Sequence, residues 1–258
     1  MNKELASGEP PLMHAHLISD ISHTCHLRVG TIVSGVPGFL AVPTASEWKS
    51  AVVVVGATGL DDHVVAVCRE LAVAGHGALA IDLPVNRLDE RASLAPAVTR
   101  TVSAALACLR GAAPAVPPRF GVVGYGAGGL VALAAGIRCQ IGAAVSFYGE
   151  GPMLLRQHLT QIIDAPKRHA APFLCLLGSK DTDVGPQDLL AIRDRLDSFG
   201  MRHTFIVYPR TAAGFCHQNS ANYRAAEAND AWSKLLHALE TAPRLRHRFG
   251  AKQAGNTK

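Results

Sequence analysis

The residues with the clearest chemical meaning lie in a glycine-rich turn near the middle of the chain. The segment Phe120 to Ala135, FGVVGYGAGGLVALAA, has the pattern of a buried strand, a tight turn and a helix of small residues. Elsewhere this arrangement presents a Ser or Cys nucleophile at the centre of Gly-x-Ser-x-Gly, but here the central residue is Gly126. The pattern therefore predicts a strand, turn and helix without the attacking side chain.

A few other side chains could do chemistry beside such a turn. Asp181 follows an apolar strand pattern and could orient a histidine, whereas Asp183 is expected to cap a helix. Cys216 and His217 could act in principle as nucleophile and base. Because adjacent residues of an extended chain point to opposite sides, a rebuilt pair is not favoured. His217 alone could bind substrate, and a surface loop histidine is the plainer alternative.

Cofactor and metal chemistry find little support in the sequence. The run Gly124-x-Gly-x-Gly-Gly129 is similar to a dinucleotide-binding fingerprint, but no acidic residue ends a following strand as that motif requires. The twelve histidines include no His-Glu-x-x-His. We therefore expect no cofactor and no metal. Tyr125 and Tyr148 are expected either to border a binding pocket or to pack in the core.

Strand and helix patterns alternate from about residue 25 to residue 240. They predict an α/β fold whose mostly parallel sheet has helices on both faces and an N-terminal antiparallel hairpin. Predicted strands cover 25–36, 38–42, 51–55, 77–81, 120–123, 143–147, 173–177 and 204–208, and predicted helices cover 63–74, 94–110, 130–136, 187–199 and 222–239. We expect an extension at 1–24, one domain at 25–240 and a basic, disordered tail at 241–258. A ligand crevice should lie beyond the carboxyl ends of the strands.

Composition limits the partners. The 258 residues are 48% hydrophobic, and the formal charge of +5 is accounted for by five basic residues after Pro243, so the rest of the chain is near neutral. No basic face indicates nucleic acid, and no apolar stretch reaches the roughly 18 residues of a membrane span. Six scattered cysteines without a paired motif favour a reducing, cytoplasmic location. The expected partner is a small molecule, with anions among the candidates; the oligomeric state is not indicated.

Eight short motifs follow one another along the chain: Gly38-Phe-Leu-Ala-Val-Pro43, Val52-Val-Val-Val with Gly59-Leu60, Ala80-Ile-Asp-Leu83, Gly124-Tyr-Gly-Ala-Gly-Gly129, Phe147-Tyr-Gly149, Gly178-Ser-Lys-Asp-Thr-Asp-Val184, Tyr208-Pro with Gly214-Phe215, and Tyr223 with Asp230-Ala-Trp232. In this order and spacing the chain resembles the dienelactone hydrolase family of the α/β-hydrolase superfamily over roughly residues 28 to 240. The resemblance implies hydrolysis of enol-lactones or related esters by a Cys or Ser nucleophile, an Asp and a His.

Several of the roles that the resemblance implies fall on residues that cannot perform them. The nucleophile falls on Gly126 and the histidine on Ala213, whereas the acid is present as Asp181. The His-Glu pair common in the family reads Val55-Gly56. Covalent acyl transfer needs both an activated nucleophile and a base, so the family's triad is expected to be degenerate.

The backbone part of the family's site could remain. The resemblance assigns an oxyanion hole to the N–H of Ala127 and to one from the loop of Gly56, Ala57 and Thr58. The small residues at positions 56, 126 and 213 are expected to leave an enlarged cavity.

Three functional hypotheses follow. The first is a non-hydrolytic enzyme of isomerase, epimerase, lyase or cyclase type, acting on a small carboxylate- or carbonyl-bearing substrate. The second is a catalytically silent protein that binds a ligand or partner. The third is a weak ester or lactone hydrolase using Asp181, a water molecule and His217.

Overall fold

One mixed sheet organises the computed structural model, which describes residues 25–33, 36–83, 94–113, 119–149 and 170–244. Within these ranges the sheet has eight strands: β1 Cys25–Val33, β2 Val36–Pro43, β3 Ser50–Val55, β4 His76–Ile81, β5 Arg119–Tyr125, β6 Ala143–Phe147, β7 Phe173–Gly178 and β8 His203–Tyr208. Their order is β1-β2-β4-β3-β5-β6-β7-β8. β2 is antiparallel to β1 and β4, and all other neighbours are parallel. The predicted fold class is confirmed.

Helices cover both faces of this sheet. The described helices are α1 Asp62–Val73, α2 Leu94–Ala112, α3 Gly128–Arg138, α4 Pro186–Ser198 and α5 Ala225–Thr241. Buried residues of α2, α3 and α4 share one apolar cluster, whereas those of α1 and α5 share the other. Among the described helices, none combines the length and the apolar character that crossing a membrane would require. The cytoplasmic location stays a prediction.

Strand β3 shows why both faces of the sheet must be covered by helices. Val53 and Val55 point into the first cluster and Val52 and Val54 into the second, and all four are fully buried. Successive side chains of a strand face opposite sides. An unbroken run of valines therefore requires apolar helices on both faces.

The start of α3 lies unusually close to the strands beneath it. A Cβ at Gly124 would collide with the Gly128 carbonyl, and a Cβ at Gly128 would collide with the Val55 carbonyl. Only glycine permits this approach of helix and strand. The glycine-rich run therefore brings the N-terminus of α3 directly over the carboxyl ends of β3 and β5.

Two local predictions need correction. The sequence assigns residue 36 to the first predicted strand and leaves residue 37 between the strands, whereas residues 36–38 all belong to β2, since Val33 pairs with Val36 and Gly30 with Gly38. Asp183 does not cap α4: the helix follows Gly185, whose N–H donates to Asp188 at 3.1 Å.

The predicted domain limits stay a prediction. The C-terminal helix α5 ends at Thr241, one residue beyond the limit predicted at residue 240. The predicted extension at 1–24 and residues 245–258 of the predicted tail lie outside the described residues.

Candidate functional site

The turn at Gly126 is the sharp elbow that the sequence predicts. It joins β5 to α3, and Gly126 has φ of +58°, a left-handed conformation that glycine adopts at little cost. Its N–H donates to the Phe147 carbonyl at 3.0 Å, and its carbonyl accepts from the Gly129 N–H at 2.9 Å. The elbow is therefore held by its own backbone and carries no side chain.

A small cavity of about 40 Å³ lies against this elbow. Among the described residues, the polar part of the cavity lining consists of Ser146, Tyr148 and Cys175 together with the backbone at Gly126, Gly129 and Gly149. Its apolar lining comes from α3, α4 and the nearby strands and loops: Leu130, Leu133, Phe173, Leu177, Val184, Leu189, Ile192 and Phe205. A small concave site with mostly apolar walls and few polar groups is typical of ligand binding.

Tyr148 joins this cavity to the loop after β8. Its φ is +62°, a conformation that costs a non-glycine residue free energy and that clusters at functional sites. Its phenol oxygen accepts from the Cys216 N–H at 2.6 Å. Burial is the main cause that raises the pKa of Tyr148 well above its ordinary value. The phenol therefore stays protonated at neutral pH.

Asp181 is nearly buried, with 8% of its surface exposed. Its carboxylate accepts from the backbone N–H of Gly149 at 3.2 Å and from that of Asp183 at 3.0 Å. Burial is the main cause that raises the pKa of Asp181, while these backbone hydrogen bonds lower it. Within the described residues no histidine donates to this carboxylate. Its observed role is to hold the loop after β7 against Gly149.

A second group of polar and aromatic rings gathers around Tyr125. The Tyr125 ring stacks on Phe147 with centroids 4.6 Å apart, and His63 meets its edge at 4.7 Å. His217 lies against His63 with ring centroids 4.5 Å apart. Burial, followed by the charge of His217, lowers the pKa of His63 to about 4, against a smaller opposing effect of Asp61. His63 is therefore neutral at pH 7.

Cys216 and His217 contact different partners in the structure. The His217 ring contacts His63, whereas the Cys216 thiol hydrogen-bonds the Tyr148 phenol. Burial is the main cause that raises the pKa of Cys216 to about 12. A thiol with this pKa is almost wholly protonated at neutral pH, and the thiolate is the reactive form.

The loop after β3 is tightly packed around Gly56, where the sequence predicts an enlarged cavity. A Cβ at Gly56 would lie 2.7 Å from Val64 and 2.8 Å from the Gly59 carbonyl, so the missing side chain leaves no cavity there. Thr58 is exposed and donates to Asp61 at 3.0 Å, and Asp61 in turn caps α1. Among the described residues, the cavity lining includes none of positions 56–58.

Ala57, Ala127 and Ala213 are packing residues in this structure. Ala57 packs against the first cluster, and Ala127 belongs to it with no exposed surface. Ala213 packs against the second cluster, and its carbonyl accepts from the Asn222 side chain at 2.9 Å. None of the three lies in the described lining of the cavity.

The structure thus divides the predicted site in two. Gly126 and Tyr148 line the cavity, with Asp181 bonded to its wall, whereas Tyr125 and His217 belong to the ring cluster. The sequence predicts neither the remaining cavity walls nor the position of His63. No motif marks those residues, and only the fold brings them together.

The strand order and the elbow at Gly126 together define an α/β-hydrolase fold. In this fold a sharp turn follows the central strand, here β5, at the carboxyl edge of the parallel strands. The family model of the dienelactone hydrolase family matches residues 36–242. The chain belongs to the dienelactone hydrolase family.

Individual relatives agree with this assignment. A Methylorubrum extorquens protein provisionally named a carboxymethylenebutenolidase is 27% identical over 78% of this chain and 75% of its own length. A Bradyrhizobium protein named a probable 2-oxo-3-(5-oxofuran-2-ylidene)propanoate lactonase is 26% identical over 81% of this chain and 90% of its own. In fold, the chain is similar to a dienelactone hydrolase-like promiscuous phosphotriesterase from metagenomic libraries, with a TM-score of 0.66, 18% identity and coverage of 85% of this chain and 99% of the other.

Proposed function

We propose that this chain binds a small, mostly apolar molecule in the cavity at Gly126 and does not hydrolyse it through an acyl-enzyme. The observation that carries the proposal is that the elbow itself forms part of the cavity wall and bears no nucleophile. The lactone and butenolide activities in the names of relatives require an attacking group in this family. The chain therefore keeps the family's scaffold with a degenerate triad.

The other nucleophilic groups near the elbow support the same proposal. Cys216 is a protonated thiol that is hydrogen-bonded to the Tyr148 phenol. Burial is the main cause that raises the pKa of Cys175, a lining residue of the cavity, to about 12. Ser146 donates to the Tyr148 carbonyl at 3.2 Å, and no histidine among the described residues accepts its proton. None of these groups is activated in the way that covalent catalysis needs.

Weak hydrolysis through Asp181 and His217 receives no support from their contacts. Asp181 is bonded to backbone N–H groups, and the His217 ring packs on His63. A water molecule activated by this pair would need the imidazole to be oriented by the carboxylate.

A second candidate function is non-hydrolytic catalysis of the isomerase, epimerase, lyase or cyclase type. One observation favours it: Tyr148 lines the cavity with a φ of +62°, a left-handed conformation that clusters at functional sites. A movement that released its phenol from Cys216 would let it donate a proton to a bound substrate. Replacing Tyr148 by Phe would then abolish turnover of a bound substrate while leaving its binding in place.

The proposal is tested by hydrolysis assays with p-nitrophenyl acetate and an enol-lactone. We expect no burst and no saturable turnover from the native chain. Saturable turnover that Cys216→Ala or His217→Ala removes, and that Cys108→Ala leaves intact, would overturn the proposal. Cys108 is the matched control because it is a half-buried thiol of α2, away from the elbow.

A gain-of-function variant tests whether only side chains are missing. The double substitution Gly126→Cys with Ala213→His returns a thiol and an imidazole to the positions that the family resemblance assigns to them. We expect it to form an acyl-enzyme with p-nitrophenyl acetate, detected as added mass on residue 126. Gly126→Cys alone is the control, since a thiol without a base should react more slowly.

A further inference from the structure

Two imidazole rings connect α1 to the loop after β8. His63 lies in the first turn of α1, and His217 follows Cys216 in the loop. The centroids of the two rings are 4.5 Å apart, and their planes are tilted by 33°. Next to this contact, the Cys216 N–H donates to the Tyr148 phenol at 2.6 Å. Neighbouring residues of the loop therefore contact both α1 and the cavity wall.

His63 is poorly placed to carry a positive charge. Its Nε2 is buried and has no hydrogen-bond partner among the described residues. Its ring meets the buried Tyr125 ring at a centroid distance of 4.7 Å. The first turn of a helix is the positive end of the macrodipole, where a cation is unfavourable. Protonation makes both ring nitrogens of a histidine donors, so a charged His63 would have a buried donor at Nε2 without an acceptor.

The charged groups around the pair compensate such a charge only in part. The titratable and charged side chains near it, among the described residues, are Asp61, Cys68, Glu70, Tyr125, Tyr148 and Cys216. Asp61 favours a charged His63, but its effect is smaller than those of burial and of His217. The Asp61 carboxylate already accepts from the Val64 N–H at 2.9 Å and from the Thr58 hydroxyl at 3.0 Å. The contact of the two rings therefore favours a neutral His63.

We propose that the contact between His63 and His217 is an acid-sensitive latch, and that protonation of His63 releases the loop after β8 from α1. In the released form the His63 ring is hydrated and titrates as an ordinary imidazole, whose pKa is about 6.5, whereas in the closed form its pKa is about 4. Because the released form binds the proton more tightly, release becomes more favourable as pH falls from about 6.5 towards 4. Since the Cys216 N–H bonds the Tyr148 phenol, release of the loop also frees this residue of the cavity wall.

Amide hydrogen exchange of the full chain, followed by NMR at pH 7 and pH 5, measures the release. With the two pKa values of His63, we expect the protection factor of the Cys216 amide to fall about twentyfold over this interval. At pH 5 its exchange should not respond to low urea concentrations, whereas exchange at the fully buried Val123 of β5 should increase, because only global unfolding exposes the central strand. Unchanged protection of Cys216 would overturn the proposal. Exchange of Cys216 with the rate and urea dependence of Val123 would also overturn it, since release would then require global unfolding.

Neutral substitutions at position 63 separate the latch from other effects of acid. His63→Phe keeps an aromatic ring against Tyr125 and His217 but cannot take a proton, so protection of the Cys216 amide should hardly change between pH 7 and pH 5. His63→Gln is a second neutral variant with the same expected result, should phenylalanine prevent folding. His237→Gln, at an exposed position of α5, is the matched substitution measured beside them. A fall in protection in the neutral variants equal to that in the native chain would overturn the proposal.

Discussion

The Tyr148 phenol oxygen accepts a hydrogen bond from the Cys216 N–H at 2.6 Å, and this contact ties the cavity wall to the loop after β8. Tyr148 directly follows β6 and lines the cavity. Cys216 directly follows Phe215, which is fully buried. The loop that bears the family's histidine position is therefore braced by a cavity residue. Changes in the cavity wall and in this loop should be coupled.

Removing the acceptor should destabilise the protein. In Tyr148→Phe the Cys216 N–H loses its partner at a partly buried site, which costs about 1–3 kcal/mol of the free energy of unfolding. Urea denaturation followed by circular dichroism measures the loss. Tyr223→Phe is the control, since Tyr223 is exposed and its change should stay within about 0.5 kcal/mol. Equal stability of the two variants would show that the contact contributes nothing.

The elbow conformation also predicts a matched pair of stability changes. Gly126 and Gly200 have φ of +58° and +61°, and a Cβ at Gly200 would meet nothing within 4 Å. An alanine in the left-handed region costs about 1–2 kcal/mol, so Gly200→Ala should report the backbone cost alone. We expect Gly126→Ala to lose at least as much stability and also to weaken the binding of a small apolar molecule in the cavity, because its methyl group adds to the cavity wall. Binding unchanged in Gly126→Ala would separate the elbow from the ligand.

Strands and helices follow from local patterns, and this is why the fold could be predicted. The valines of β3 form a run that only a doubly covered strand can bury, and Gly75, with φ of +92°, follows α1 where a helix end was predicted. The predicted bounds differ from the observed ones by a few residues.

The cavity could not be predicted in the same way. Ser146 and Cys175 meet only through the register of β6 and β7, and His63 meets His217 only because α1 and the loop after β8 lie on one face of the sheet. At Gly56 the sequence predicts a cavity that the structure does not contain. The absence of a side chain suggests open space there, but Val64 and the Gly59 carbonyl occupy that space.

Acidification should destabilise the chain through His63. Its pKa is about 4 in the folded state and about 6.5 when unfolded, so between these values the unfolded chain binds a proton that the folded chain does not. The free energy of unfolding therefore falls as pH decreases from about 7 towards 4, and His63 has no such effect above that range. Urea titrations at several pH values should show a shallower fall in His63→Gln.

The urea titrations at several pH values need a control variant, and a second histidine contributes to the pH dependence that they measure. His237 is exposed on α5, so His237→Gln is the matched substitution whose pH slope is measured beside that of His63→Gln. Some slope should remain in His63→Gln, because burial also lowers the pKa of the fully buried His76 to about 4. A slope in His63→Gln equal to that of the native chain would contradict the neutral, partly buried state of His63.

Cys216 should react slowly with alkylating reagents, although it is next to a histidine. With a pKa of about 12, roughly one molecule in ten thousand carries the thiolate at pH 8, against about one in four for an ordinary cysteine. Since the thiolate is the nucleophile, iodoacetamide should label Cys216 about a thousandfold more slowly in the native chain than in urea. Mass spectrometry of digested, time-resolved samples measures the rate at each cysteine. Fast labelling that His217→Ala abolishes would instead identify a working pair of thiol and imidazole, and with it a nucleophile that the contacts of Cys216 with Tyr148 argue against.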